Sequence, residues 1–104
     1  MDIRKNESTI ISKRLIVTGI VQGVGFRPLV YRMAIKCKLN GIVRNHGGNV
    51  EIIIQGEESQ IQLFFECLKA DNHQSYEVIT MKIEEWTGEY FACFRIEISD
   101  RNQE

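Results

Sequence analysis

The stretch GIVQGVGFRP, residues 19–28, sets Gly19, Gly23 and Gly25 ahead of one arginine, Arg27, and the only proline of the chain. Glycines allow consecutive backbone N–H groups to turn inward as a concave nest for an anion. The guanidinium of Arg27 offers a planar fork matched to two phosphate oxygens. Eighteen positions further on, Asn45 carries both a donor and an acceptor, which is what orienting a water molecule requires. Such a set could hold an anion of phosphate size and place water beside it. The loop is no known nucleotide motif: it lacks the GxxxxGK[ST] of a P-loop, and the third glycine of G-x-G-x-x-G falls on Pro28. A plainer alternative stays open. The glycines would only join a strand to a helix, Arg27 would make a surface pair, and Asn45 would shape a turn.

Cys37, Cys67 and Cys93 are odd in number and well separated, with no CxxC spacing, so neither a disulfide framework nor a metal motif is expected. Each falls at an apolar position of its segment and is expected as a buried, reduced thiol. His46 and His73 have no ligand-like spacing to each other or to a cysteine. No metal and no other cofactor is expected.

The elements that must position Arg27 and Asn45 follow from periodicity. Residues 1–13 are polar and unpatterned and are expected as a loosely ordered leader. RLIVTGI, residues 14–20, is β-branched and reads as a buried strand. After the glycine loop, Pro28 suits the first turn of a helix. Leu29, Val30, Met33, Ala34 and Cys37 then repeat at helical spacing, and Asn40-Gly41 is a stop signal. IVRN (42–45) and VEIIIQ (50–55) read as strands joined by a hairpin turn at His46-Gly47-Gly48-Asn49. Ile61, Phe64, Phe65 and Leu68 form the apolar stripe of a second helix, which ends in ADNHQS. VITMKIEEW places Ile79, Met81 and Ile83 on one strand face; FACFRIEIS does the same with Phe94, Ile96 and Ile98.

The order predicts an α+β, ferredoxin-like βαββαβ sandwich with an additional C-terminal strand. Both helices lie on one face of a mainly antiparallel sheet. The strands at 14–20 and 42–45 would run parallel with the 50–55 strand between them. Their C-terminal ends then share one edge, and Arg27 and Asn45 converge there.

With 104 residues and 43% hydrophobic content, the chain is one domain with a single core. The domain is expected over residues 14–99, with a tail at 100–104. No apolar run approaches the roughly 18 residues that span a bilayer, and the N-terminus has no signal-peptide core. A cytoplasmic protein is expected, with no membrane contact. A net charge of −1 argues against a nucleic-acid partner. Between Arg14 and Val50, however, stand six basic residues (Arg14, Arg27, Arg32, Lys36, Lys38, Arg44) and no acid. That block could supply a positive field for a small anion.

GIVQGVGFR, followed 18 positions after its arginine by the asparagine of GIVRN, and then by HGGNVEIIIQG, resembles the acylphosphatase family over about residues 14–99. The resemblance implies hydrolysis of acyl phosphates, carboxyl-phosphate anhydrides such as carbamoyl phosphate, to carboxylate and inorganic phosphate without a metal. It assigns phosphate binding to Arg27, water orientation to Asn45, and a backbone phosphate cradle to Gln22, Gly23, Val24, Gly25, Phe26 and Arg27. The partner would be a small acyl phosphate, inorganic phosphate would be product and competitive inhibitor, and the protein would be a monomer. RPLVYRMA and the ending FRIEIS are similar to the N-terminal acylphosphatase-like domains of the hydrogenase maturation carbamoyltransferases, HypF. The alternative implied is a domain that binds phosphate or acyl phosphate with little turnover of its own. An RNA-binding domain of the same element order would need exposed aromatics on its central strands, and LIVTGI and VEIIIQ have none. A module that senses an anion without turning it over uses the same loop, and an assay separates it.

Overall fold

A computed structural model of the chain describes residues 9–20, 25–70 and 77–97. The elements run β1 (Ile11–Ile20), α1 (Phe26–Lys36), β2 (Asn40–His46), β3 (Asn49–Gly56), α2 (Glu58–Ala70), β4 (Glu77–Glu85) and β5 (Phe94–Ile96). They build one sheet of order β4-β1-β3-β2-β5. β1 and β2 each pair antiparallel with β3, and so run parallel to each other, as the element order predicts. β5 is the additional strand and pairs parallel with β2.

The sheet owes its two faces to the period of two along each strand. Leu15 and Val17 of β1, Val43 of β2, and Val50, Ile52 and Ile54 of β3 face the helices and are fully buried. α1 closes over them with Val30, Met33 and Ala34, and α2 with Ile61, Phe64 and Leu68. Both apolar stripes are the ones the sequence periodicity gives, and both helices share one face. β3, the central strand, is buried on its other face too. There Ile42 and Ile53 pack under Phe91, with Trp86 beside them. The segment carrying those aromatics is pinned by Gln55, which is 3% exposed. Its Nε2 donates to the Glu89 carbonyl (2.9 Å) and its Oε1 accepts from the Phe91 N–H (2.8 Å). A buried amide satisfied at both ends avoids the cost of an orphaned polar group.

Several boundaries differ from the sequence reading. β1 begins at Ile11, inside the stretch read as leader, because Ile11 and Ser12 continue the pairing with Gly56 and Gln55. α1 begins at Phe26, so Phe26 and Arg27 belong to its first turn and not to the loop. The helix stops before Asn40-Gly41. Lys38 takes a left-handed conformation (φ 61°), and the Leu39 N–H reaches back to the Ala34 carbonyl (2.9 Å) while the Lys38 N–H reaches Ile35 (3.0 Å). That pair of bonds is a Schellman stop, usually built on glycine. Gly41 has a different duty: a Cβ there would stand 1.8 Å from the Ile53 carbonyl oxygen. α2 starts with Gln60 Oε1 accepting the Glu57 N–H (2.9 Å), half of a capping box.

Ile83 is 49% exposed, because its strand lies at the sheet edge. β5 has three residues, fewer than FACFRIEIS suggests. Cys37 is buried, but Cys67 is only half-buried and Cys93 is exposed, in the turn that leads into β5. Burial pushes the Cys37 thiol up, and contact with Cys67 adds to the shift. No helix of the described residues is long and apolar enough to cross a membrane. The sequence expectations at residues 1–8, at Gln22, Gly23 and Val24, at His73 and at Ile98 lie outside the described residues, as does the tail.

Candidate active site

The site lies where α1 begins and β2 ends. Gly25, the residue before α1, is left-handed (φ 83°) and makes no side-chain cap. The Leu29 N–H donates to the Gly25 carbonyl (3.2 Å) and opens the helical ladder. Pro28 precedes that bond, so its missing N–H costs nothing. The positive end of the helix dipole lies at this start. The Phe26 side chain turns into the core and is 1% exposed. Its contribution to any anion site is therefore through its backbone alone. Arg27, the next residue, is half-buried.

The Arg27 Nη1 donates to the Glu97 carbonyl at 3.3 Å. Glu97 follows β5 directly, and its N–H donates to the Val43 carbonyl at 2.9 Å. Two residues beyond Val43, on the same face of β2, comes Asn45. It stands opposite Val50, which in turn stands opposite Val17 of β1. Asn45 is half-buried, with Oδ1 withdrawn from solvent. The start of α1 and the end of β2 thus meet at one end of the sheet, and Glu97 links them. Among the assigned cradle residues, Gly25, Phe26 and Arg27 are seen there, whereas Gln22, Gly23 and Val24 lie outside the described residues. His46, the last residue of β2, is exposed.

The positive field read from the basic block is smaller than the sequence suggests. Glu51 is 3% exposed and takes one hydrogen bond on each oxygen, from Arg14 Nε (2.5 Å) and from Arg44 Nε (2.6 Å). Arg14 also pairs with Glu84, and Arg44 Nη1 with Glu97 Oε1 (3.5 Å). Two of the six cations are thereby neutralised on the sheet face away from the helices. Burial alone would push the Glu51 carboxyl up, but the hydrogen bonds from Arg14 and then Arg44 outweigh it and hold it below the usual value. The same bonds to Glu51 push Arg14 and Arg44 up.

Sequence reading missed the roles of Glu51, Arg44 and Glu97, having placed Arg44 only within the basic block. A signal for the first two existed. A two-residue turn at Gly47-Gly48 puts Asn45 opposite Val50 and Arg44 opposite Glu51, which is the register observed. Glu97 gave none, since its role depends on where a three-residue strand docks.

The acylphosphatase family model matches residues 13–96. A probable carbamoyltransferase HypF of Methanocaldococcus jannaschii is 46% identical over 84 residues, which is 80% of this chain and 11% of that protein. An acylphosphatase of Moorella thermoacetica is 36% identical over 93 residues, 88% of this chain and 98% of that enzyme. Among solved structures, full-length HypF in a phosphate- and nucleotide-bound form superposes with a TM-score of 0.84 at 32% identity, over 90% of this chain and 12% of that one.

Proposed function

The chain belongs to the acylphosphatase family, and we propose that it hydrolyses acyl phosphates with Arg27 and Asn45 as its catalytic residues. The observation that supports this reading is that Arg27, at the start of α1, bonds to Glu97, which is bonded in turn to Val43, two residues before Asn45 on the same face of β2. Arg27 would hold the phosphoryl oxygens as charge develops on them, helped by backbone N–H groups from Gln22 to Arg27. Asn45 would hold a water on the side opposite the leaving carboxylate, for in-line attack on phosphorus. The carboxylate is a good leaving group and can take up a proton itself, so no general base is required. Positioning and charge stabilisation then carry most of the rate. Steady release of inorganic phosphate from benzoyl phosphate, persisting in excess EDTA, is the expected result. No turnover, or a strict need for added metal, overturns the reading.

A second reading rests on the HypF relatives, of whose length the chain spans about a tenth. In it the fold is the phosphate-handling N-terminal domain of a hydrogenase maturation carbamoyltransferase, and carbamoyl phosphate is the ligand. Comparing carbamoyl phosphate with benzoyl phosphate separates the two: binding of the former with little turnover of either favours the domain. We further infer a cytoplasmic monomer, with inorganic phosphate as product and competitive inhibitor; gel filtration and inhibition kinetics test the state and the inhibitor.

A further inference from the structure

Glu51 is a buried carboxylate that the proposed reaction does not use. Its two arms are chemically alike but end in different places. One arm runs from Glu51 to Arg14 and on to Glu84 of the edge strand β4. The other runs from Glu51 to Arg44, on to the Glu97 side chain, and the Glu97 carbonyl accepts from Arg27. The second arm therefore ends on the guanidinium assigned to phosphate, and the first ends away from it.

We propose that Glu51 is a positioning residue for Arg27, acting through Arg44 and Glu97. The proposal rests on the assignment of Arg27 above. A buried ionic cluster is weak evidence for stability in itself, since apolar residues of similar volume commonly do as well. What a charge cluster gives that an apolar one does not is direction. Glu51 Oε1 fixes the Arg44 guanidinium at 2.6 Å. Arg44 then holds the Glu97 side chain, while the Glu97 N–H is held by the Val43 carbonyl at 2.9 Å. Its N–H and side chain thus anchor the Cα of Glu97, from which the carbonyl is presented to Arg27. Arg27 has a long flexible stem with many rotamers, and a fixed acceptor selects one of them before phosphate arrives. β5 is only three residues long, and the Arg44–Glu97 pair adds to the Glu97–Val43 bond in holding the chain just past it.

The test compares the two arms in the 104-residue chain. Arg44→Met and Arg14→Met each remove one guanidinium partner of Glu51, but only the first lies on the path to Arg27. Glu97→Gln removes the charge pair while keeping the carbonyl, at an exposed position where folding is not at risk. Inorganic phosphate affinity is measured by titration, and the Arg27 Nε–Hε resonance by 15N NMR without ligand. Arg44→Met and Glu97→Gln are expected to weaken phosphate by about tenfold, the scale of one charged hydrogen bond, and to move the Arg27 resonance. Arg14→Met should leave both within about twofold. Equal effects from Arg14→Met and Arg44→Met would mean general loosening and overturn the proposal, as would unchanged affinity and resonance in Arg44→Met and Glu97→Gln. If the wild-type chain binds no phosphate, the functional reading fails, and the Arg27 resonance still decides the positioning claim.

Discussion

Arg27 and Asn45 have separate duties in the proposed reaction, so their replacements should fail differently. Arg27 lies in the first turn of α1 and is half-buried. Alanine is the better helix former and little core packing is lost, so Arg27→Ala should fold. Loss of one charge-stabilising donor costs about 100- to 1000-fold in rate, and phosphate affinity should fall with it. Asn45→Ala removes the group that aims the water but leaves the guanidinium and the helix start. It should bind phosphate nearly normally and still turn over far more slowly, since near-attack geometry is lost. Calorimetric phosphate titrations of the two variants, beside their rates on benzoyl phosphate, decide this. Equal loss of phosphate affinity in both would withdraw the water-orienting role from Asn45.

At the level of elements, the residues at the join between α1 and β2 make opposite predictions. Lys38 ends α1 with φ 61°, a conformation that costs a side-chain-bearing residue about 1 kcal/mol relative to glycine. Lys38→Gly should therefore stabilise the fold by roughly 0.5–1 kcal/mol, offset in part by the freer unfolded chain, seen as a higher urea midpoint. Three residues on, Gly41→Ala forces a methyl onto the Ile53 backbone. Backbone at the centre of a sheet cannot give way as a side chain tip would, so β2–β3 pairing must break locally. A loss above about 2 kcal/mol is expected, and an unchanged midpoint would contradict the close approach. This join also marks the limit of what the sequence discloses. The stripes of α1 and α2 and the β1-β3-β2 order are legible because burial enforces a period. The end of α1 is not, because Asn40-Gly41 carries the usual stop chemistry while Lys38 bears the turn. The start of α1 is misread for a similar reason. Pro28 suits any position before the first helical hydrogen bond, so it does not say that Phe26 already belongs to the helix. Of the candidate site, Arg27 and Asn45 are the residues that motif and topology single out. Glu97 is not, since only the docked β5 brings its carbonyl to Arg27.

Across the molecule as a whole, the face of the sheet away from the helices combines a small apolar cluster with a charge cluster, where the helix face is held by apolar packing alone. Glu51 is the group on which that charge converges, and its protonation should be read in the stability of the entire fold. Its folded carboxyl lies below the ordinary range, so folding favours the ionised form. The resulting stability is fully present above the unfolded carboxylate value of about 4.3 and is lost as pH falls through the lower, folded value. Removing one partner of a fully buried ion pair costs about 3–5 kcal/mol. Here the cost should be smaller, because the side chains of Arg14 and Arg44 are 23% and 33% exposed and each keeps a second glutamate. Glu51→Gln should thus unfold at lower urea than wild type at pH 7, by an amount that stays level down to about pH 5. Below that the gap should narrow, since protonated Glu51 is no better a partner than glutamine. Urea melts of the two proteins at a series of pH values measure the gap directly. A gap that persists unchanged at the acid end would mean that Glu51 contributes by shape and hydrogen bonding alone, and that its charge does not hold the two arginines.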